Sequence, residues 1–317
     1  MFDIVTFFQL MFSDHTLRVV SLGTAMVGAV SGVLGCYAYL RKQAMMGAIV
    51  AHASLFGITT AFLLGTALGG SVLAMQLVLP GAFLGGVLAM AFVSLVVHTT
   101  PLKADAAMGL AVAIFFGAGI ALLRMIQSLS LMGHRGLRDF LFGQAATMTN
   151  ADIRTIAVLA VVAIGISLLF WKEFKLHTFD RDFAAGIGYP MHRLDQLLLA
   201  TIVLAIVIGL RTVGVILIVS LLVCPAAAAR QWTKSLSGMA ALSAVFGLVS
   251  GIVGATLSAM VRNLPTGPVI ALTATAFVFL SLFFAPHRGV IARALRRARN
   301  RKHLRPPEAT LPVGGGV

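Results

Sequence analysis

Charged side chains are scarce in this sequence, at 11% of its 317 residues, whereas 59% are hydrophobic. That balance excludes a soluble globule, which needs far more polar surface at this length. Cysteine is nearly absent, because Cys36 and Cys224 are the only two and both lie inside apolar runs. A disulfide framework and a cysteine metal site are therefore excluded. The sequence also lacks a GxxxxGK[ST] phosphate loop, so it has no ATPase site of that kind.

Long apolar runs are what the sequence has instead. Each is close to the length of about 20 residues that a helix needs to cross a bilayer. We count nine, with eight as the alternative, because only Arg211 and Thr212 separate the sixth run from the seventh. The prediction is an all-α polytopic membrane protein, a bundle of eight or nine transmembrane helices. The runs are Leu17–Leu40, Ala44–Gly65, Val72–Val97, Ala106–Gln127, Ile153–Phe170, Leu194–Leu210, Val213–Ala229, Met239–Met260 and Val269–Phe284.

The ends of the chain differ in charge. We divide the sequence into an extracytoplasmic segment (1–16), a transmembrane domain (17–285) and a basic tail (286–317). Lysine and arginine concentrate in the tail and in alternate loops, which predicts a cytoplasmic carboxyl terminus and an outer amino terminus. A basic segment beside a membrane attracts anionic lipid, which we prefer to nucleic acid as its partner. The end of the tail, from Pro306, is expected to be disordered.

Small residues recur at four-residue spacing in three of the runs. The pairs are Gly28/Gly32, Gly81/Gly85 and Gly247/Gly251. Such spacing lets helix backbones approach closely within lipid, where no aqueous hydrophobic effect holds helices together. The pairs predict a compact bundle. The segment between Leu129 and Asn150 is too polar to span and is expected to pack on the bundle as a short interfacial or re-entrant helix.

His52 is the one ionisable side chain that we place deep within a run. It lies about 12 Å along the second run, at 1.5 Å per residue from Ala44. Ionisable groups at that depth usually face a bundle interior or a wet cavity. Two interpretations remain open from the residues alone: a histidine hydrogen-bonded to a neighbouring helix, or a ligand on an ion path.

A short amphipathic helix is predicted at Phe179–Gly188, in the longest internal cytoplasmic segment. Phe179, Phe183 and Ile187 recur every four residues and form an apolar stripe on a surface that should be solvated. The acidic residues Asp180 and Asp182 suit its amino end, and Gly186 or Gly188 can end it. The stripe indicates either a protein partner or a helix lying on lipid.

Several motifs in order resemble the permease subunits of bacterial ABC importers for zinc, manganese and iron, the ABC-3 metal permeases. The resemblance covers roughly residues 17–284. The motifs are LRKQAMMGAIVAHA at Leu40–Ala53, PLKADAAMGL at Pro101–Leu110, FDRDFAAGIG at Phe179–Gly188, RTVGVILIVSLLVCPAAAAR at Arg211–Arg230 and LPTGP at Leu264–Pro268.

The resemblance implies a dimeric pathway in the bacterial cytoplasmic membrane for a divalent metal: manganese or zinc, with iron as a third candidate. The metal would be cargo, and no cofactor would be bound permanently. An extracytoplasmic binding protein would deliver the metal, and a cytoplasmic ABC ATPase dimer would hydrolyse ATP. That ATPase would grip a cytoplasmic coupling helix formed by Phe179, Asp180, Arg181, Asp182, Phe183, Gly186 and Gly188.

The second helix departs from the family pattern. Members typically read GDALSHA, whereas this chain reads GAIVAHA, so Ala48 stands where the aspartate would be and His52 keeps the histidine. One histidine alone is a poor site for a divalent ion. The chain could pair with a related permease that keeps its aspartate, which we favour, or with itself. A secondary cation transporter or channel using His52 as a relay is the alternative function, and a membrane scaffold is a third.

Overall fold

The structure is a computed structural model, and it describes residues 15–41, 44–129, 137, 143, 145, 148–215, 217–261, 264–286 and 289–293. Residues 1–14 and 294–317, which hold most of the two predicted terminal segments, lie outside these ranges. Ten helices are found within them. They are α1 (His15–Leu40), α2 (Ala44–Thr99), α3 (Ala104–Ser128), α4 (Asn150–Leu169), α5 (Trp171–Phe179), α6 (Arg181–Gly186), α7 (Met191–Val213), α8 (Ile218–Trp232), α9 (Leu236–Met260) and α10 (Thr266–Phe284).

Eight helical segments of the described ranges are long and apolar enough to cross a membrane, which confirms the predicted all-α bundle. The apolar run Val213–Ala229 does not form a ninth helix of spanning length, although it returns the chain from the end of α7 to the start of α9, at the opposite end of the bundle. Gly214 adopts a φ of +90°, which ends α7, and the helix that follows has only 15 residues. At 1.5 Å per residue α8 is about 22 Å long, short of a hydrocarbon core of about 30 Å.

Helix α2 is a hairpin of two spanning arms. Gly70, with a φ of +78°, separates the first arm (Met45–Gly70) from the second arm (Gln76–Thr99). The arms run antiparallel at very close range: a Cβ added to Gly85 would lie 2.7 Å from the Ala53 carbonyl oxygen and 2.8 Å from the Gly57 Cα. Glycine at both positions therefore allows the two backbones to touch.

Helices α1 and α9 also pack antiparallel, backbone against backbone. The Thr24 hydroxyl donates to the Gly251 carbonyl at 3.1 Å, and the Ser243 hydroxyl donates to the Gly32 carbonyl at 2.7 Å. Between these two bonds, Gly28 faces Gly247, and a Cβ on either would run into the carbonyl of the other. The close packing predicted from all three glycine pairs is confirmed.

The bundle has two ends, which we call the His15 end and the Arg41 end after the two ends of α1. Since α9 runs antiparallel to α1, it finishes at the His15 end, where Ser258 meets Thr266 of α10 at 3.0 Å. Helix α10 then returns antiparallel to α9, with the Thr273 hydroxyl donating to the Ser250 carbonyl. The first and last described residues therefore lie at opposite ends, as the charge pattern predicts.

The segment between α3 and α4 packs on the bundle where it is described. Leu137 and Ala145 are fully buried. Gly143 has a φ of +73°, and an added Cβ there would lie 2.6 Å from the Thr212 carbonyl oxygen, near the end of α7. These residues agree with the expected packing of the segment on the bundle, and most of the predicted short helix lies outside the described residues.

We expect Gly28→Ala to lower the free energy of unfolding by roughly 1–3 kcal/mol, because the added methyl group forces α1 away from α9. The measurement is thermal unfolding of the purified protein in detergent. Gly165→Ala is the matched control, since a Cβ at Gly165 on α4 meets no heavy atom within 4 Å. Equal stability of the two variants would contradict the assigned packing.

Candidate functional site

His52 lies half-buried on the first arm of α2 and stacks obliquely on Phe116 of α3, with 4.7 Å between ring centroids. Its Nδ1 is buried and has no hydrogen-bond partner among the described residues. A buried polar atom without a partner costs about 1–3 kcal/mol. The interpretation of His52 as a histidine tied by this nitrogen to a neighbouring helix is therefore not supported.

The face of α2 around His52 is only partly covered by this chain. Ala48, His52, Phe56 and Thr60 follow at four-residue spacing, and all four are half-buried. Met45, one turn before Ala48, is 63% exposed. Residues at this spacing share one side of a helix. The site therefore opens onto a surface that a second molecule can cover.

Aromatic packing behind this face fixes its position. Phe115 of α3 makes edge contacts with Phe56 and with Phe92 of the second arm, at centroid distances of 5.6 and 5.9 Å. Gly119 lets α3 approach closely, since an added Cβ would lie 2.9 Å from the Phe56 backbone nitrogen. The His52 arm is thus held from two sides by rigid elements.

A complete metal site is not formed by the described residues of one chain. They contain no group of three or more His, Cys, Asp or Glu side chains placed to hold a metal ion. Ala48 offers no ligand atom, so His52 contributes a single imidazole. A divalent ion at this position needs further ligands from elsewhere.

The predicted apolar stripe is exposed at the Arg41 end. Phe179, Phe183 and Ile187 are exposed by 56%, 57% and 57%. The helix that carries them is shorter than predicted, because Asp180, with a φ of −148°, interrupts it. Phe179 therefore ends α5, and the Asp180 carboxylate caps α6 by accepting from the Phe183 amide at 3.0 Å.

The remaining coupling candidates surround this stripe. Arg181, Asp182 and Gly186 are exposed on α6, and Gly188 follows with a φ of +95°. A Cβ at Gly186 or Gly188 would meet no heavy atom within 4 Å. Both glycines therefore lie where added side chains would have room.

One polar cluster, formed by Arg41, His177 and Asp195, was not predicted from the sequence. Asp195 of α7 accepts hydrogen bonds from Arg41 at 2.6 Å and from His177 at 3.2 Å. Arg41 and Asp195 are 154 residues apart, so no local spacing links them. The only signal available in the sequence is an aspartate at the start of an apolar run.

The comparisons with known proteins identify the family. Residues 13–285 match the ABC 3 transport family. The chain belongs to that family. It is 44% identical over 290 residues to the zinc transport system membrane protein TroC of Treponema pallidum, covering 91% of this chain and 95% of TroC. It is 40% identical over 291 residues to the manganese transport system membrane protein MntC of Bacillus subtilis, covering 92% of this chain and 66% of that longer protein.

A solved structure agrees with this assignment. PsaBC from Streptococcus pneumoniae, in complex with Fab, superposes with a TM-score of 0.79 at 28% identity, covering 93% of this chain and all of that chain. Membership of an ABC transport family places ATP hydrolysis on a separate subunit and confirms that this chain is a membrane subunit without an ATPase site. It also favours an ABC importer over the secondary transporter considered above.

Proposed function

We propose that this chain is the permease subunit of an ABC importer that carries manganese or zinc into the bacterial cytoplasm, with iron as the third candidate. The observation that carries the proposal is His52, whose Nδ1 is buried, unpartnered among the described residues and located within a spanning arm. Imidazole is a ligand suited to transition metals. The names of TroC and MntC, a zinc and a manganese transport protein, support the same cargo class.

The metal is cargo in this proposal and is bound only in transit. A pathway must bind an ion well enough to admit it and weakly enough to release it. His52 supplies one imidazole, and Ala48 supplies no carboxylate, so this chain alone would bind a divalent ion weakly and release it readily. No permanently bound cofactor is required.

A second permease completes the pathway. The half-buried face of Ala48, His52, Phe56 and Thr60 is where its ligands would enter. We favour a related permease that keeps an aspartate, because a carboxylate attracts a dication far more strongly than neutral imidazole does. Self-pairing would leave two imidazoles and no carboxylate at this level.

The Arg41 end faces the cytoplasm in this proposal. The basic residues concentrate on that side, and the described part of the tail, residues 289–293, follows α10 there. An extracytoplasmic metal-binding protein would dock at the His15 end. The basic tail would lie against anionic lipid and bind no nucleic acid.

The exposed stripe of Phe179, Phe183 and Ile187 is the proposed docking surface for the ATPase dimer. Two phenylalanine rings exposed to water by more than half are costly unless a partner covers them. A short helix with an apolar face fits a hydrophobic groove on a partner. The open space around Gly186 and Gly188 leaves room for that partner.

We expect His52→Ala to reduce ATP-dependent manganese or zinc uptake at least tenfold, because the pathway loses its imidazole ligand. The measurement is radiolabelled uptake into proteoliposomes holding the purified complex, with and without ATP. His98→Ala is the matched control, since His98 is exposed and its Nδ1 lies 2.6 Å from a carbonyl of its own helix. Full uptake by His52→Ala would remove this residue from the ion path, and wild-type uptake indifferent to ATP would overturn the importer assignment.

We expect Phe183→Ser to weaken ATPase docking, because it removes a central ring of the apolar stripe. Co-purification of the ATPase and ATP-dependent uptake should both fall at least fivefold, while the permease stays folded. Lys175→Ala, an exposed change on α5, should leave both unchanged. Normal recovery of the ATPase with Phe183→Ser would contradict the docking assignment.

We expect this chain to require a related permease for activity. The measurement is co-expression of two differently tagged copies, with and without a related permease from the same genome, followed by pull-down and uptake. Active complex should form only with the related permease. A stable and active complex from this chain alone would instead establish self-pairing.

A further inference from the structure

The cluster of Arg41, His177 and Asp195, which we call the Asp195 clamp, joins three separate elements at the Arg41 end. Arg41 follows the last residue of α1, His177 lies in the last turn of α5, and Asp195 lies in the second turn of α7. One carboxylate oxygen, Oδ1 of Asp195, accepts from both Arg41 Nη2 and His177 Nε2. A single atom therefore connects these three elements.

The clamp is shielded from water. The Arg41 side chain is 10% exposed, that of His177 is fully buried and that of Asp195 is 27% exposed. Shielded charge pairs are strongly directional, and removing one partner leaves an uncompensated charge. Asp195 is the counter-ion of the Arg41 guanidinium, at 2.6 Å.

Aromatic contacts reinforce the same junction. Tyr37, one turn before Arg41 on α1, is fully buried and makes edge contacts with Trp171 and Phe174 of α5, at centroid distances of 6.1 and 5.7 Å. The Ser167 hydroxyl of α4 also reaches the Tyr37 hydroxyl, at 3.5 Å. Helix α5 is therefore fixed to the end of α1.

Helix α6 is held far more loosely. Only Ala184 of its six residues is buried, and Phe183, its one residue in the apolar stripe, is exposed. Helix α6 follows α5 directly and precedes α7, and α5 and α7 meet at Asp195. Asp195 in turn binds Arg41, which lies three residues before Ala44, where α2 begins.

We propose that the Asp195 clamp is a positioning network that transmits movement of α6 to the His52 arm, and that it thereby couples ATP hydrolysis to metal passage. Asp195 does not touch the metal in this scheme. It acts by making the end of α5, the start of α7 and the end of α1 move as one body. This inference rests on the proposed function, because it assumes that an ATPase drives α6.

Asp195→Asn tests the proposal, because it keeps the side chain's shape and removes its charge. We expect uptake per ATP hydrolysed to fall at least fivefold, with the complex assembled and the ATPase rate within twofold of wild type. Asp105→Asn is the matched control, a loss of the same charge at an exposed position at the start of α3, at the Arg41 end. The ratio of uptake to hydrolysis is decisive because a purely structural role would lower both quantities together.

His177→Leu provides a second variant, because it removes the hydrogen bond from α5 to Asp195 and leaves the Arg41 to Asp195 pair in place. We expect a smaller fall in the same ratio, and this variant decides the matter if Asp195→Asn does not assemble. An unchanged ratio in the assembled variants, or a proportional loss of uptake and hydrolysis, would overturn the positioning role. Wild-type protein without ATP-dependent uptake would overturn the proposed function itself, and this inference with it.

Discussion

Direct backbone contact between α1 and α9 is the constraint on which the bundle depends. Glycine at Gly28 and Gly247 brings the two helices close enough for Thr24 and Ser243 to donate across the contact. Lipid offers no hydrophobic gain for helix association, so such close van der Waals contact and hydrogen bonds must supply the affinity. Helix α1 lies at the centre of the bundle, and α4, α7, α8 and α9 pack against it.

The two proposed functional regions both connect to α1. The His52 arm begins at Ala44, four residues after the end of α1, and the exposed apolar stripe begins at the end of α5, which Tyr37 holds against α1. Helix α1 therefore links the proposed ion-path surface with the proposed docking surface. His52 stays half-buried against Phe116, whereas Phe179 and Phe183 stay exposed, because α3 covers the first and nothing described covers the second.

Much of this could be predicted from the sequence, where local pattern determines the structure. The lengths of the apolar runs predicted the spanning helices, and the four-residue spacing of glycines predicted that Gly28, Gly81 and Gly247 lie at helix contacts. The short α8 could not be predicted, because the apolar run continues through Gly214 and only its φ of +90° reveals the break. The position of His52 deep within an apolar run marked it as a candidate site residue. Its Nδ1, however, lacks a partner because of how α3 packs, which the sequence does not show. The Asp195 clamp joins residues 154 positions apart, a distance that no pattern of spacing reports.

The burial of α1 has a consequence for biosynthesis. It is the most buried of the eight spanning segments, yet it leaves the ribosome first. Thr24 finds its partner carbonyl 227 residues later, when the end of α9 has been made. Until α9 is synthesised, the glycine face of α1 therefore lies in the membrane without the helix that packs against it. The bundle is therefore completed late, around a helix that was inserted early, and a translation product truncated before α9 leaves the glycine face of α1 exposed.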